Sequence, residues 1–306
     1  MKTSSSDSQV TDTLFMVRPA HFGFNTETAS TNIFQHASAA NGDTIHEKAL
    51  KEFDDFVQLL RSNKIYVIVL QDPGNPVTPD SIFPNNWISF QDGNMVLYPM
   101  LAPNRRLERR SNWISLLKDV FHLNQSIDFS GYEKQNQFLE GTGSLVLDRI
   151  NRKAYANLSS RTHKKPLQDF IGKLEFDPVY FIATDKSGNE IYHTNVLMAI
   201  GEKTAVVCDE IIKDEAERKN LLRQLSAHHE IVTITYEQLL QFAGNMLLVK
   251  NRDREKFWVM SDQAFQSLKD SQADILKKDG RLLHAPLGTI ESIGGGSARC
   301  MLAEIF

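Results

Sequence analysis

The residue best suited to covalent chemistry lies close to the end of the sequence. Cys300 follows three consecutive glycines at positions 294–296 and comes directly after Arg299. Consecutive glycines disfavour helices and strands, because each loses more conformational entropy on ordering than any other residue, and they are typical of sharp turns or close backbone approaches. A thiol becomes a nucleophile once it ionises, and a neighbouring imidazolium or arginine lowers its pKa. We therefore interpret Cys300 as a catalytic nucleophile.

His193 and Glu140 are the residues that could assist such a nucleophile. An imidazole can protonate a leaving group and then activate water, and a carboxylate can orient the imidazole or hold a substrate N–H group. Both residues also have simpler interpretations, since a lone histidine can be structural and Glu140 could cap a turn before Gly141. Cys208, in contrast, follows three apolar residues and is typical of a buried structural cysteine.

The sequence that must position these residues repeats one pattern five times. Each unit consists of a strand or hairpin, an amphipathic helix and a second strand, and equivalent points recur near Phe83, Phe138, His193 and Asn245, at a period of about 55 residues. Such a period is typical of radially repeated architectures in which each unit packs against its neighbours. The pattern predicts a mixed α/β fold: a five-bladed α/β propeller formed by a single domain over residues 1–306, with residues 1–12 as a flexible N-terminus.

A polar group recurs at the start of the first strand of each unit. In chain order these groups are Arg18 and Asn25, Asn86, Glu140, His193 with Asn195, and Asn245. In a radial arrangement the same end of every unit faces the axis, so the repeat predicts that these side chains converge in one central pocket. Cys300 follows the fifth unit and is expected to reach the same pocket.

The charge balance and the cysteine content exclude several classes of partner. A net charge of -4 and a pI near 6.2 give no reason to expect a nucleic acid or a membrane as partner. The four arginines at positions 105, 106, 109 and 110 are interpreted as a solvated or salt-bridged surface. Two cysteines suit a reducing compartment, and together with a polar N-terminus they predict a cytoplasmic protein. No His, Cys or carboxylate pair has zinc or calcium spacing, so we expect neither a metal nor a cofactor.

Several segments, taken in order, resemble the guanidino-group-modifying superfamily of arginine deiminase, dimethylarginine dimethylaminohydrolase and the amidinotransferases. The matching segments are Val17-Arg18-Pro19, Phe83-Pro84-Asn85-Asn86-Trp87, Phe138-Leu139-Glu140-Gly141, Ser160-Arg161-Thr162, His193 with Asn195, and the glycine run that leads to Cys300-Met301. The resemblance extends from about Phe15 to the end of the chain, and the subgroup of citrulline-utilisation hydrolases and amidinotransferase-like proteins looks most similar.

The resemblance implies the pentein fold, which is a five-bladed α/β propeller, and a hydrolase that acts on C–N bonds of small linear amidines or ureido compounds. It implies that Cys300 is the nucleophile, that His193 is the general acid and base, and that Glu140 is its carboxylate partner and a substrate anchor. Arg161 is implied to bind the substrate α-carboxylate, a task that suits a bidentate guanidinium. The other groups expected to contact the substrate are Arg18, Asn25, Asn86, Asn195 and Asn245.

Two positions depart from the pattern of the arginine-processing relatives. Asn86 stands where those relatives carry an aspartate, and Asn195 stands where several of them have an aspartate two residues after the histidine. Both changes remove a negative charge from the place where a guanidinium would lie. An amide offers a donor and an acceptor together and so matches a neutral ureido group. The sequence therefore favours citrulline over arginine as the substrate.

Two alternative functions remain open at this point. The same nucleophile could transfer an amidino group to an amine acceptor, as an amidinotransferase does. The chain could also be a non-catalytic pentein that binds the ribosome, although the acidic balance and the complete Cys, His and Glu set argue against it. A homodimer is one assembly compatible with the sequence, and residues 29–41, polar and rich in small side chains, are predicted to form a lid over the pocket.

Overall fold

The computed structural model describes residues 8–306 and contains five small β-sheets of three strands each, with helices between the strands. The strands are β1 (Thr13–Arg18), β2 (Tyr66–Gln71), β3 (Ile88–Gln91), β4 (Asn94–Leu97), β5 (Ser126–Asp128), β6 (Val146–Asp148), β7 (Lys153–Asn157), β8 (Asp177–Phe181), β9 (Met198–Ile200), β10 (Thr204–Val207), β11 (Glu230–Thr233), β12 (Leu247–Lys250), β13 (Lys256–Ser261), β14 (Arg281–Ala285) and β15 (Ala303–Ile305). The helices are α1 (Gly42–Ser62), α2 (Pro103–Arg106), α3 (Ser111–Val120), α4 (Gly141–Ser144), α5 (Lys164–Leu174), α6 (Thr194–Leu197), α7 (Glu215–Ser226), α8 (Tyr236–Leu240), α9 (Asp262–Ser267) and α10 (Asp270–Leu276). The predicted α/β fold with five repeated units is confirmed.

All five sheets share one strand order. The middle strand pairs antiparallel with the first strand and parallel with the third, and a helical segment connects the middle and third strands, as a parallel pair requires. Four sheets take their strands consecutively from the chain, and the remaining sheet has the order β15-β1-β2. In that sheet Thr13 pairs with Ile305 and Phe15 with Ala303, so strands from the two ends of the chain complete one unit.

The longer crossover helices begin and pack as their sequences dictate. In α1 the Asn41 side chain accepts a hydrogen bond from the Asp43 backbone N–H, and one face of the helix buries Phe53, Phe56 and Leu60. In α7 the Asp214 side chain caps the first turn in the same way. These buried faces cover the sheets, whose inner residues form hydrophobic clusters shared between neighbouring units.

A helical turn precedes the first strand of each unit. The turns are Pro84–Asn86 before β3, α4 before β6, α6 before β9, a turn over residues 241–244 before β12, and Ala298–Met301 before β15. The sequence pattern predicts strands over residues 82–90 and 195–200, but the observed strands begin later, at Ile88 and Met198. The pattern also predicts one helix over residues 264–276, which is divided, because α9 ends at Ser267 and α10 begins at Asp270.

Within residues 8–306, no helix combines the length and the apolar character needed to cross a bilayer.

We predict that the end-to-end sheet contributes strongly to stability. Ile305 in β15 is buried and belongs to a hydrophobic cluster with Phe15 and Trp87. Ile305→Ala is expected to lower the free energy of unfolding in urea by about 2–3 kcal/mol, because it removes buried methyl groups and leaves a cavity. The control Ile150→Ala changes an isoleucine that is 50% exposed and should stay within about 0.5 kcal/mol of wild type. Equal, small changes in both variants would contradict the role assigned to β15.

Candidate active site

Residues from four different units of the chain line one cavity. These residues are Cys300, His193, Asn86 and Arg161, and the glycines at 294–296 border the same cavity.

The sulfur of Cys300 is held by two asparagine side chains. Asn245 donates from Nδ2 to Sγ at 3.2 Å, and Asn195 does so at 3.6 Å. The Asn245 Oδ1 accepts from the Arg299 backbone N–H at 3.1 Å, so one amide fixes both the sulfur and the turn that carries it. Asn195 and Asn245 thus lie where the repeat predicts, and they contact the nucleophile candidate itself.

Cys300 is a buried thiol rather than a thiolate in the resting site. Burial raises the pKa of Cys300, against the lowering effect of its hydrogen bonds and of the Arg299 charge. The neighbouring arginine gives little help because its guanidinium points away, donating to the Leu302 carbonyl and to Glu304. The Arg299 charge thus lowers the pKa of Cys300, as expected of an adjacent cation, but burial outweighs this effect.

His193 is oriented by Glu140. The imidazole Nε2 lies 2.9 Å from Glu140 Oε2, and the Leu101 backbone N–H donates to Glu140 Oε1 at 2.9 Å. Burial alone would raise the pKa of Glu140, but the charge of Arg161 and the hydrogen bond from His193 outweigh it, and the pKa falls to about 2. Burial lowers the pKa of His193 to about 4, although Glu140 acts in the opposite direction. A neutral imidazole beside an ionised carboxylate carries its proton on Nε2, so Nδ1 is the free base.

The free Nδ1 atom faces Gly143, at a position where no side chain fits. A Cβ atom added to Gly143 would lie 2.6 Å from His193 Nδ1 and 2.5 Å from Asn86 Nδ2. Glycine at this position, in the third unit, therefore allows the second and fourth units to bring an amide and an imidazole close together. The glycine in this motif is needed for close packing, an interpretation that the sequence alone did not give.

Arg161 connects the third unit to the predicted lid. Its guanidinium donates to the Thr28 carbonyl at 3.2 Å and to Thr31 Oγ1 at 2.7 Å, and it lies over the Tyr192 ring, 4.7 Å from its centroid. One N–H nitrogen lies 3.5 Å from Glu140 Oε2. The guanidinium of Arg161 thus borders the cavity, and it lies between the Glu140 carboxylate and the neutral acceptors of Thr28 and Thr31.

The segment predicted as a lid lies against the glycine run. Asn32 lines the cavity and donates to the Gly295 carbonyl at 3.4 Å, and Gln35 donates to the Ile293 carbonyl at 3.3 Å. The His36 backbone N–H donates to the Ser292 carbonyl at 2.7 Å. Part of residues 29–41 therefore covers the site, as the lid hypothesis requires.

The sequence analysis did not place two charged residues, Arg105 and Asp80, at the cavity. Arg105 was interpreted as part of a solvated or salt-bridged surface, but it is buried. Its guanidinium donates two hydrogen bonds to Glu108, at 2.9 and 3.0 Å, and one to Asn86 Oδ1 at 2.7 Å. Asp80 lines the same cavity, and its Oδ1 has no hydrogen-bond partner among residues 8–306. Asp80 lies three residues before the Phe83-Pro84-Asn85-Asn86 segment, and this proximity in sequence could have indicated that it is near the site. Arg105 could not be distinguished from its three arginine neighbours by sequence.

Arg18 is placed wrongly by the sequence interpretation, and Asn25 only partly as expected. Arg18 pairs with Asp54 of α1 at 2.8 Å on a partly exposed surface and does not reach the cavity. The reason is that β1 is the middle strand of its sheet, so the residue at the equivalent point before the first strand is Cys300 before β15. Asn25 is buried behind the cavity wall, where it donates to Asp80 Oδ2 at 2.8 Å.

Over the part of the chain from residue 8 onward, no group of three or more His, Cys, Asp or Glu side chains is arranged to hold a metal ion.

Comparison with known proteins identifies the family. The sequence profile of the N,N dimethylarginine dimethylhydrolase family, eukaryotic, matches residues 18–306. The chain belongs to this family. Members of this family hydrolyse C–N bonds of guanidino compounds. The match confirms the resemblance to the guanidino-group-modifying superfamily. No curated protein sequence matches the chain significantly.

Solved structures of the superfamily share the fold at low sequence identity. ArgZ, an arginine dihydrolase from the ornithine–ammonia cycle in cyanobacteria, superposes with a TM-score of 0.72 at 16% identity, over 96% of this chain and 40% of ArgZ. The chain thus spans less than half the length of full-length ArgZ. The N-terminal domain of ArgZ, in a variant covalently bound to a reaction intermediate, gives a TM-score of 0.73 at 15% identity and covers 96% and 97% of the two chains. A dimethylarginine dimethylaminohydrolase variant, as an adduct with S-methyl-L-thiocitrulline, gives 0.66 at 14% identity over 96% and 99%.

This family member should react slowly with thiol reagents at neutral pH. Cys300 is 3% exposed and burial raises its pKa, so iodoacetamide should modify it at pH 7 at least ~10 times more slowly than free cysteine, and faster as the pH rises. Mass spectrometry of the modified peptide measures the rate, and the Cys300→Ala variant reports any reaction at Cys208. Rapid, pH-independent modification of Cys300 would show a stable thiolate instead.

Proposed function

We propose that the chain is a metal-independent hydrolase that cleaves the ureido C–N bond of citrulline or a closely related small molecule through a covalent intermediate on Cys300. The observation that carries this proposal is the arrangement of Cys300 and His193 around one cavity, with the imidazole held by Glu140 at 2.9 Å. A nucleophile, a free imidazole nitrogen and an orienting carboxylate are the groups that acyl-type transfer requires.

We infer that the five sheets are the blades of a propeller with the site at its axis. Strand β15 packs against β3, β6 against β9, and β9 against β12, so first strands of neighbouring units lie side by side. Turns of equivalent position in different units also pack together, as Pro84–Asn86 does with α4 and α4 does with α6. This arrangement supports a ring of units around the cavity.

The proposed reaction proceeds in two stages. The thiol proton passes to His193 Nδ1 as Cys300 Sγ bonds to the ureido carbon, and ammonia then leaves with that proton as the C–N bond breaks. Water, deprotonated by His193, attacks the resulting thiocarbamate and breaks the C–S bond, and the carbamate loses carbon dioxide. Citrulline and water thus give ornithine, ammonia and carbon dioxide. General acid–base assistance of this kind is typically worth ~10²–10⁴ in rate.

The charged walls of the cavity suit the other end of an amino-acid substrate. Arg161 presents a guanidinium fork, whose present acceptors Thr28 and Thr31 are neutral and can be replaced by an α-carboxylate. Asp80 has one open carboxylate oxygen, which can accept an N–H group of the substrate. Arg161 thus offers a cation, and Asp80 an open oxygen, to the two ends of a zwitterionic ligand.

The orientation of Asn86 favours a ureido group over a guanidinium. Arg105 is a donor only and binds Asn86 Oδ1 at 2.7 Å, so the amide oxygen must face Arg105. The Nδ2 group is then a donor, and it is buried without a partner among residues 8–306. A ureido group has a carbonyl oxygen to accept this donor, whereas a guanidinium has only donors of its own. The contact that Asn86 can make therefore distinguishes citrulline from arginine.

Loss of the nucleophile should abolish the reaction. Cys300→Ala is expected to release no ammonia from citrulline above background, because no covalent intermediate forms, while Cys208→Ala should retain activity because Cys208 is buried in another hydrophobic cluster. Ammonia and ornithine are measured together, with and without added glycine. Ammonia release by Cys300→Ala would refute the covalent mechanism, and a new amidino or carbamoyl product with glycine would indicate a transferase.

Exchange of the Asn86 amide for a carboxylate should change the preference between substrates. Asn86→Asp removes the donor for a ureido oxygen and adds an acceptor with negative charge, so the ratio of kcat/KM for arginine over citrulline should rise about 10–100-fold. The matched control Asn124→Asp makes the same chemical change at an exposed position outside the cavity and should leave the ratio near the wild-type value. An unchanged ratio in Asn86→Asp would remove the argument for citrulline.

A further inference from the structure

A second cavity lies among the first strands of four units. It is lined by residues of β6, β9, β12 and β15. Most of the lining residues are apolar, but Arg149, Arg299, Glu304 and Gln9 also border it. Cys300 borders the active-site cavity and its neighbour Arg299 borders this one, so the same turn contacts both cavities.

The charges around this second cavity do not balance. Arg149, Arg299 and Glu304 are each more than nine-tenths buried. Glu304 Oε2 accepts from Arg299 Nη2 at 2.6 Å, and its other oxygen lies 3.5 Å from Arg149 Nη1. Two guanidinium groups therefore share one carboxylate, which leaves a net positive charge in a buried place.

Arg149 is the less satisfied of the two cations. Besides the 3.5 Å ion pair, its Nη2 reaches the Gln91 side-chain oxygen at 3.3 Å when that amide is turned to face it, and one face of the guanidinium lies 4.0 Å from the Phe306 ring centroid. Among residues 8–306 its other N–H groups find no acceptor. Burial lowers the pKa of Arg149 and Arg299 adds to this effect, while Glu304 opposes it, with smaller contributions from Tyr98 and Asp92.

We propose that this second cavity binds a small oxyanion, a carboxylate or a phosphate, between Arg149 and Arg299. Two buried cations that share one carboxylate are costly, and a planar guanidinium matches two oxygens of one anion. The nearby Gln9 does not serve this purpose, because its Nε2 donates to the Leu147 carbonyl at 2.9 Å. An anion there stabilises the folded chain through linkage, since it binds the folded state alone.

Titration calorimetry with sodium phosphate and, separately, with sodium acetate tests the proposal, at fixed ionic strength. The wild type should bind at least one of the two, and the comparison shows which oxyanion the cavity prefers. Arg149→Gln should weaken binding at least ~10-fold, because a charge-assisted hydrogen-bonding group is lost. Glu304→Gln should tighten it several-fold, because the competing carboxylate is removed. These opposite changes cannot both result from general destabilisation.

Two further variants are controls, one for misfolding and one for anion binding in the active-site cavity. Arg149→Lys keeps the charge but loses the planar fork, so it should fold and bind more weakly than wild type. Arg161→Gln removes the guanidinium that the proposed function assigns to a substrate carboxylate, so the anion binding that persists in this variant belongs to the second cavity. Absence of binding in the wild type up to about 50 mM, well beyond the millimolar range of a weak specific site, would overturn the proposal. So would loss of binding in Arg161→Gln, which would place the anion in the active site.

Discussion

The pairing of the two ends of the chain determines where the nucleophile candidate lies. Strand β15 pairs antiparallel with β1, from Thr13–Ile305 to Phe15–Ala303, and Cys300 lies in the turn directly before β15. The sulfur thus occupies in its unit the place that Asn86 or Asn245 occupies in others. Correct placement of Cys300 requires the whole chain to have folded, because its strand completes the unit that the chain began.

Buried charges near the cavity depend on one another. Glu140 is ionised because Arg161 and His193 contact it, and its pKa falls to about 2 despite its burial. Burial raises the pKa of Glu108 to about 7 even though Arg105 chelates it, and Asp80 and Glu140 add like charge. In a medium of low dielectric such contacts are stronger than in water, and an unpaired member is costly. These residues act as one network that fixes the imidazole and the Asn86 amide.

The sequence predicted the fold well where its signal was long. The 55-residue period identified five units, and the polar group of each unit indicated that Asn86, Glu140, His193 and Cys300 share a site. Strands β5 and β15 were missed. Strand β5 has one buried apolar residue, Ile127, between two exposed polar ones, and β15 pairs with the distant strand β1 rather than with a neighbour in sequence. The omission of β15 also explains the error over Arg18. Without β15, the middle strand β1 was compared with the first strands of the other units, so Arg18 was expected where Cys300 lies. Arg105 and Asp80 were missed because burial of a charged side chain depends on partners from distant segments.

The contacts of Arg161 imply that the ground state of the protein competes with its own ligand. Thr28 and Thr31 occupy the guanidinium, and the same segment, through Asn32 and Gln35, is hydrogen-bonded to the glycine run before Cys300. A carboxylate that binds Arg161 must first displace these acceptors, so its gain is only the difference between a charge-assisted and a neutral hydrogen bond. Release of that segment also frees the backbone beside the sulfur. Under the proposed function, a ligand carboxylate that binds Arg161 therefore also changes the hydrogen bonds of the backbone beside Cys300. A molecule that lacks a carboxylate leaves the covering segment in place.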